Sequence, residues 1–564
     1  MKILLFRFVF IIFCLIISYL LFIIFLYPIF TASELIIPYG IHPFDICSKH
    51  PVFWYYFKII YIITYFLSTF IISNVIYSMF FKNLSFVKKN HNALPKTDAL
   101  NLSIGKNLEN SSLIFLPSKS LYQNILITGT IGSGKTSSAM YPFTEQLLKY
   151  NSLSYSQKLG MLILDVKGNF YKQVLLYAKK YFRQEDIILI EVGGKYTYNP
   201  LDKPNLKSSV LADRLKTVLT LFSTNNSDSY WLDKVAQVLT ECIKLCRLYN
   251  NGYVTFTELH KLISFPQYYL EKVEYLRMLF QKSIFTKQQC FDLLSALDFF
   301  ETEFKNLDSR VLSIIQSEIT RITSVFTSDY EIQNTFCPSK ENISFHGFKE
   351  VLMEGKIVIL NMDISQYKTL AKILATYLKL DFQTEVLLQL SSSSCPRPSV
   401  FICDEFHEFI TSTDSDFFAQ SREAKCINIV ATQSYSSLLN TLKDNTVLQV
   451  ILQNLVNKLW FRTDDIFTIE NIQKQLGKEE KKFLSKSITE SAKETNYNYI
   501  TRTLNSKNSN ISESINTYTH LDYIFDSNFF TSSLETFQCL AFLSDGNKIL
   551  KPCKLSLTPY FKLQ

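Results

Sequence analysis

Glycine is scarce in this sequence: fourteen in 564 residues, and three of them crowd into the eight positions Gly129–Thr136. Eleven cysteines are scattered without a single CxxC pair, and Cys242 and Cys246, one helical turn apart, have no nearby histidine in the sequence. That excludes a disulfide scaffold and a zinc ribbon, and it predicts reduced, packed thiols. There is no internal repeat, which excludes solenoids and propellers. Charge is missing from two long runs, 8–30 and 59–81, each of 23 residues. The net charge of +8 is not gathered into one basic face, because most of the excess lies just past the second uncharged run. Charge alone therefore gives no case for a nucleic-acid-binding surface.

The two uncharged runs are long enough to span a bilayer. The first is too long for a signal-peptide core, and Thr31-Ala-Ser33 makes a poor cleavage site. Lys2 and Arg7 precede it, and Lys82, Lys88 and Lys89 follow the second run. The positive-inside bias gives a two-helix transmembrane hairpin over 1–81 with both termini cytoplasmic.

The glycine-rich stretch reads Gly129-Thr130-Ile131-Gly132-Ser133-Gly134-Lys135-Thr136. It follows an apolar strand pattern, Ile125–Thr128, and precedes a helical one, which is the setting of a phosphate-binding loop. Glycines let backbone N–H groups turn inward around phosphate oxygens, and the helix start adds a positive dipole end. Lys135 would reach the β- and γ-phosphates of ATP, and the Thr136 hydroxyl would ligate magnesium.

Downstream, strand patterns alternate with helical ones: 161–165, 187–191, 356–360, 400–403 and 426–432. This predicts an α/β fold of RecA-like type, with a parallel sheet and nucleotide at its carboxyl ends. Residues 113–116 read as an edge strand and 82–110 as a linker. Residues 205–345 carry helical periodicity at 209–222, 231–248, 268–280 and 288–326, so an all-α domain interrupts the ATPase domain. The nucleotide-binding parts are then 82–204 and 346–564. Within the second, 366–390 reads as a long helix, 478–518 as a mobile Ser/Asn/Lys/Thr-rich excursion, and 537–544 as a last strand.

The strand at 400–403 ends in Asp404-Glu405. Asp404 would hold magnesium, and Glu405 would orient and polarise the attacking water. Gln433, ending the next strand, is placed to feel the γ-phosphate, or is an ordinary polar strand end. Arg422 is either a finger for a neighbouring subunit's nucleotide or a solvated surface charge, and Arg462 is a second candidate.

Taken in order, these features resemble the coupling proteins of conjugation and type IV secretion, the TraG/TraD family, whose motors are FtsK/HerA-like. The resemblance rests on the N-terminal hairpin, Gly129–Thr136, Asp165-Val-Lys167-Gly168, Tyr198-Asn199-Pro200-Leu201, Trp231, Ile402–Phe406, Ser421-Arg422 and Ala431–Ser434. It implies a homo-hexameric ATPase in the bacterial inner membrane. It also implies single-stranded DNA, a relaxase and type IV secretion channel components as partners. The aromatic-rich helical domain, with sixteen bases against seventeen acids over 201–345, leaves open the alternative of protein effectors moved without DNA.

Overall fold

The computed structural model describes residues 16–21, most of 52–72, and 100–562 apart from 166–167, 223–228, 282–284, 363, 393–396, 493–494 and 507–508. It divides into two compact units, Met1–Thr97 and Asp98–Gln564. The expected span 8–30 lies largely outside the described residues, and 59–81 does so in part. Among those described, no helix is long and apolar enough to cross a membrane. Within the first unit Ser18 Oγ lies 3.1 Å from Thr69 Oγ1, and the Tyr65 hydroxyl donates to the Ser18 carbonyl at 3.2 Å. Around this contact Leu20, Ile63, Phe70 and Ile72 face outward.

The second unit is organised on an eleven-stranded sheet. Its first nine strands in chain order are β1 (Asn101–Asn107), β2 (Leu113–Pro117), β3 (Ile125–Thr128), β4 (Gly160–Leu164), β5 (Ile187–Ile190), β6 (Ile357–Leu360), β7 (Ser399–Cys403), β8 (Cys426–Thr432) and β9 (Asn457–Phe461). Four further strands, β10 (Lys478–Ala492), β11 (Thr495–Asn498), β12 (Thr503–Ser506) and β13 (Ser509–Tyr523), form two separate two-stranded ribbons. β14 (Gln538–Phe542) and β15 (Cys553–Ser556) return to the main sheet, whose order is β2-β1-β15-β14-β9-β3-β8-β7-β4-β6-β5.

The seven strands from β9 to β5 are mutually parallel. They read as unbroken apolar runs because both faces are covered. Alternate residues feed opposite cores: Ile125, Ile163, Ile359 and Ile402 pack on one face, and Leu126, Leu162, Val358 and Phe401 on the other. The second of these cores continues into the helical domain.

From Ser208 to Glu354 every described element is helical. The expected helix over 288–326 is two, Lys287–Asp298 and Ser309–Thr323, separated by a π turn and a short 3-10 turn. The chain re-enters the sheet at β6 and then forms the long helix Ile364–Ser392.

Three expectations are corrected. First, the linker over 82–110 contains β1, whose Leu102 and Ile104 are buried at period two. Only every second residue there is apolar, and its partners β2 and β15, which flank it in the sheet, both follow it in the chain, β15 at the far end. Second, the sheet is not wholly parallel, because β14, β15, β1 and β2 extend it in antiparallel fashion beyond β9, with β2 as the expected edge. Third, the excursion at 478–518 holds a long antiparallel ribbon, paired from Lys478↔Tyr523 to Ala492↔Ser509. Its composition speaks to solvation, whereas Thr, Ile and Phe at alternating positions set the backbone preference.

Candidate functional site

The carboxyl ends of β3, β4, β7, β8 and β9 meet at one edge, and the expected site residues hang from them. After β3 the chain turns through Gly129–Gly134, with Gly132 at φ +77° and Gly134 at φ +97°. Neighbouring strand ends hold this loop. Gly129 N donates to Thr432 O at 3.4 Å, and Thr130 N donates to Arg462 O at 2.9 Å. The Lys135 ammonium bends back onto the carbonyls of Gly129 at 2.5 Å and Thr130 at 3.2 Å, closing the loop on itself. Ile131 stands exposed at its tip.

Thr136 opens a π turn, Thr136–Met140, that leads into the helix Tyr141–Lys149. A Cβ at Gly134 would run into the Phe537 ring as well as meeting a left-handed φ. Gly134→Ala should therefore weaken binding of a fluorescent ATP analogue at least about tenfold, since about 1–2 kcal/mol of backbone strain is added before any clash. Unchanged affinity would show that this loop does not hold the phosphates.

The Thr136 hydroxyl donates to Asp404 Oδ2 at 2.8 Å across 268 positions of sequence. Asp404 is buried at the end of β7, and its Oδ1 accepts from Glu405 N at 2.9 Å. Glu405 is also buried and sits at φ +50°, a left-handed conformation that a non-glycine residue adopts at a cost of about 1–3 kcal/mol. Its Oε2 accepts from Gln433 Nε2 at 3.3 Å. Lys135, Thr136, Asp404, Glu405 and Gln433 are thus brought to one edge, as the sequence predicts.

The two arginines part company. Arg462 touches the phosphate loop through its carbonyl. Arg422 is exposed in the turn before β8. It therefore lies at the opposite end of a seven-residue strand, roughly 20 Å from the loop of its own chain.

The sequence reading misses one residue of this neighbourhood, His407, and gives another, Asp165, no role. His407 Nδ1 lies 3.7 Å from Glu405 Oε2 and 3.4 Å from Thr432 Oγ1. Burial lowers its pKa against the opposing pull of Glu405 and Glu408, which keeps the imidazole neutral near pH 7. Its position three residues after Asp404 is the available signal.

Asp165, ending β4, caps the helix Phe170–Lys180 by accepting from Asn169 N and Phe170 N, each at 3.0 Å. With Asp404 it surrounds Tyr141, whose hydroxyl is pushed up to about 12 by burial and then by these two carboxylates. The positive φ of Gly168 completes the Asp165 turn, while Lys167 lies outside the described residues. Asn199 makes the expected turn, its Oδ1 accepting from Leu201 N at 3.0 Å.

Among the described residues there is no group of three or more His, Cys, Asp or Glu side chains able to hold a metal ion. A magnesium ion would rest instead on one hydroxyl, one carboxylate, nucleotide phosphates and water, which the Thr136–Asp404 pair suits.

A family model described as the TraM recognition site of TraD and TraG matches residues 398–517, a stretch that includes Asp404, Glu405, Arg422 and Gln433. No curated protein matches the sequence. Solved structures of the bacterial conjugative coupling protein TrwB share the fold. The unbound form is 14% identical, with a TM-score of 0.52 over 79% of this chain and 87% of that one. TrwB with ADPNP is 14% identical at 0.52, covering 83% and 92%. TrwB with ADP and Mg2+ is 13% identical at 0.52, covering 84% and 97%. At this identity the likeness establishes the fold alone, the one seen in the TrwB structures.

Proposed function

We infer that this chain, which belongs with the TraG/TraD coupling proteins by its match over 398–517 and by its fold, is a membrane-anchored ATP-driven motor. It would couple a relaxase–single-stranded DNA substrate to a type IV secretion channel at the bacterial inner membrane. The observation that carries the motor reading is the Thr136–Asp404 hydrogen bond beside Glu405–Gln433, which joins loop and carboxylates into one hydrolytic arrangement. Magnesium, when bound with ATP, would neutralise charge on the β- and γ-phosphates. Lys135 would bind the same phosphates. Glu405 would orient water for in-line attack and accept its proton, with Gln433 and His407 fixing its carboxylate.

Arg422 is too distant to serve its own chain's site. A ring, hexameric in this reading, would carry it to a neighbour's nucleotide. The membrane anchor rests on the uncharged runs 8–30 and 59–81 and on the apolar side chains facing outward around Ser18 and Thr69. The matched family model's own description favours a protein of the DNA-processing complex as a further partner.

The second reading, protein effectors as cargo, is favoured by the slightly acidic charge of 201–345. ATP hydrolysis by the full-length protein in detergent separates the two, run with and without single-stranded DNA beside a Lys135→Ala control. Stimulation that fades with salt is the expected result, because backbone contacts release counterions. Turnover indifferent to DNA would move the assignment to protein cargo, and no turnover in any arm would overturn the motor reading.

A further inference from the structure

Lys458 has no role in the hydrolytic arrangement, yet it is 3% exposed as the second residue of β9. It lies on the opposite face of that strand from the phosphate loop's core, two residues before the buried Trp460. Its ammonium has no hydrogen-bond or ion-pair partner among the described residues, and its nearest aromatic neighbour is the Phe542 ring at 5.9 Å. Every other buried lysine among the described residues is engaged: Lys135 on loop carbonyls, Lys203 on Asp381 at 2.8 Å, and Lys379 on Asp414 at 2.5 Å. Burial lowers the Lys458 pKa to about 8, so the protein bears a cost for keeping it there.

The side chain forms the floor of a cleft of about 650 Å³ between the helices Asn445–Asn454 and Ile466–Leu476. The walls carry Gln449, Gln453, Asn471 and Gln475, with Phe467 as an apolar wall. Gln449 Nε2 donates to Asn471 Oδ1 at 3.0 Å, a bridge that ties the two helices at the mouth. No carboxylate lines the cleft among the described residues. The rim lysine, Lys474, is exposed and turned to Glu470 at 3.5 Å.

We propose that this cleft is a docking site for an extended acidic peptide segment of a partner protein, with one carboxylate seated on Lys458. Charge complementarity selects the anion: one unpaired cation matches one carboxylate, whereas a nucleic-acid backbone calls for a row of cations. The amide walls select the peptide, because each Asn or Gln offers a donor and an acceptor together, as a peptide unit does. The cleft is far larger than a single carboxylate needs, and its width suits a ligand of several residues.

The test uses the full-length protein in detergent, fluorescently labelled and applied to arrays of random octapeptides with Asp, Asn or phosphoserine fixed at the centre. Aspartate peptides should capture the protein at least about tenfold more strongly than asparagine peptides. That difference should vanish for Lys458→Met, which keeps the volume of the side chain and removes its charge, and shrink for Gln449→Leu. Both variants should bind an ATP analogue as the unaltered protein does, which shows that they are folded. Equal capture by aspartate and asparagine peptides, capture unaffected by Lys458→Met, or no capture at all would each overturn the proposal. Phosphoserine outranking aspartate would overturn it in favour of a phosphate ligand.

Discussion

Glu405→Gln should lower the ATP turnover rate by about 10²–10⁴-fold while leaving magnesium–nucleotide affinity within about threefold. The two effects separate because the substitution is nearly isosteric. The glutamine can still meet Gln433 and lie beside His407, so the buried, left-handed turn at this position survives. What it cannot do is accept the proton of an attacking water. A loss of that size is about 3–5.5 kcal/mol of barrier.

Lys135→Ala should behave differently and lose both affinity and turnover, because the ammonium holds the loop closed on Gly129 and Thr130 and, in the proposed reading, would also be the cation that meets the phosphates. Single-turnover hydrolysis paired with equilibrium binding distinguishes the two. If Glu405→Gln turned over at an undiminished rate, the base would have to be another group at this edge. Asp165, buried at the end of the adjacent strand, would be the first to examine.

Asp381→Ala should destabilise the second unit by about 3–5 kcal/mol, a large fraction of a typical domain's stability. Asp381 is fully buried on the long helix Ile364–Ser392 and receives three contacts. Lys203 lies at 2.8 Å, Arg214 at 3.0 Å, and the Tyr198 hydroxyl donates at 2.9 Å. Removing the carboxylate leaves two buried cations without their anion, which costs far more than the pair itself contributes. Two residues earlier, Lys379 donates to Phe409 O at 2.6 Å and to Asp414 at 2.5 Å, in the segment that follows Glu405. One helix is therefore tied to the helical domain through Asp381 and to the segment beyond Asp404 and Glu405 through Lys379.

The same site gives a pH dependence. Burial alone would raise the Asp381 pKa, but Lys203 and Arg214 outweigh it and hold the carboxyl below its ordinary value. Its contribution is then fully present above the unfolded value of about 3.9 and is lost as pH falls through the folded one. Urea midpoints measured from pH 6 down to pH 3 should fall more steeply for the unaltered protein than for Asp381→Asn. Identical slopes would mean that folding leaves the pKa of this carboxyl unchanged, and a midpoint that rises as pH falls would mean that burial outweighs the two cations.

What the sequence by itself determined is local. A phosphate loop is eight consecutive residues between a strand and a helix, and the Asp404-Glu405 pair is the end of one strand. Chain order and period two or 3.6 suffice to place them, and likewise the helical character of 205–345 and the parallel centre of the sheet. What only the tertiary structure decided is which distant segments pair.

β1 gains its place from β2 and from β15, a partner some 450 residues away by number, so its alternating pattern alone reads as a linker. The ribbon of β10 and β13 is hidden by a composition that signals solvation. Asp165 and His407 join the candidate site because β4 lies beside β7 and because the turn after β7 folds back toward β8. Nothing in the sequence reading singles out Lys458. Only the packing of two helices over β9 leaves its charge buried, unpaired and facing a cleft. Side-chain patterns along one element report the solvent it expects. Partners across the sheet are set by packing free energy summed over the whole chain, and no local window contains that sum.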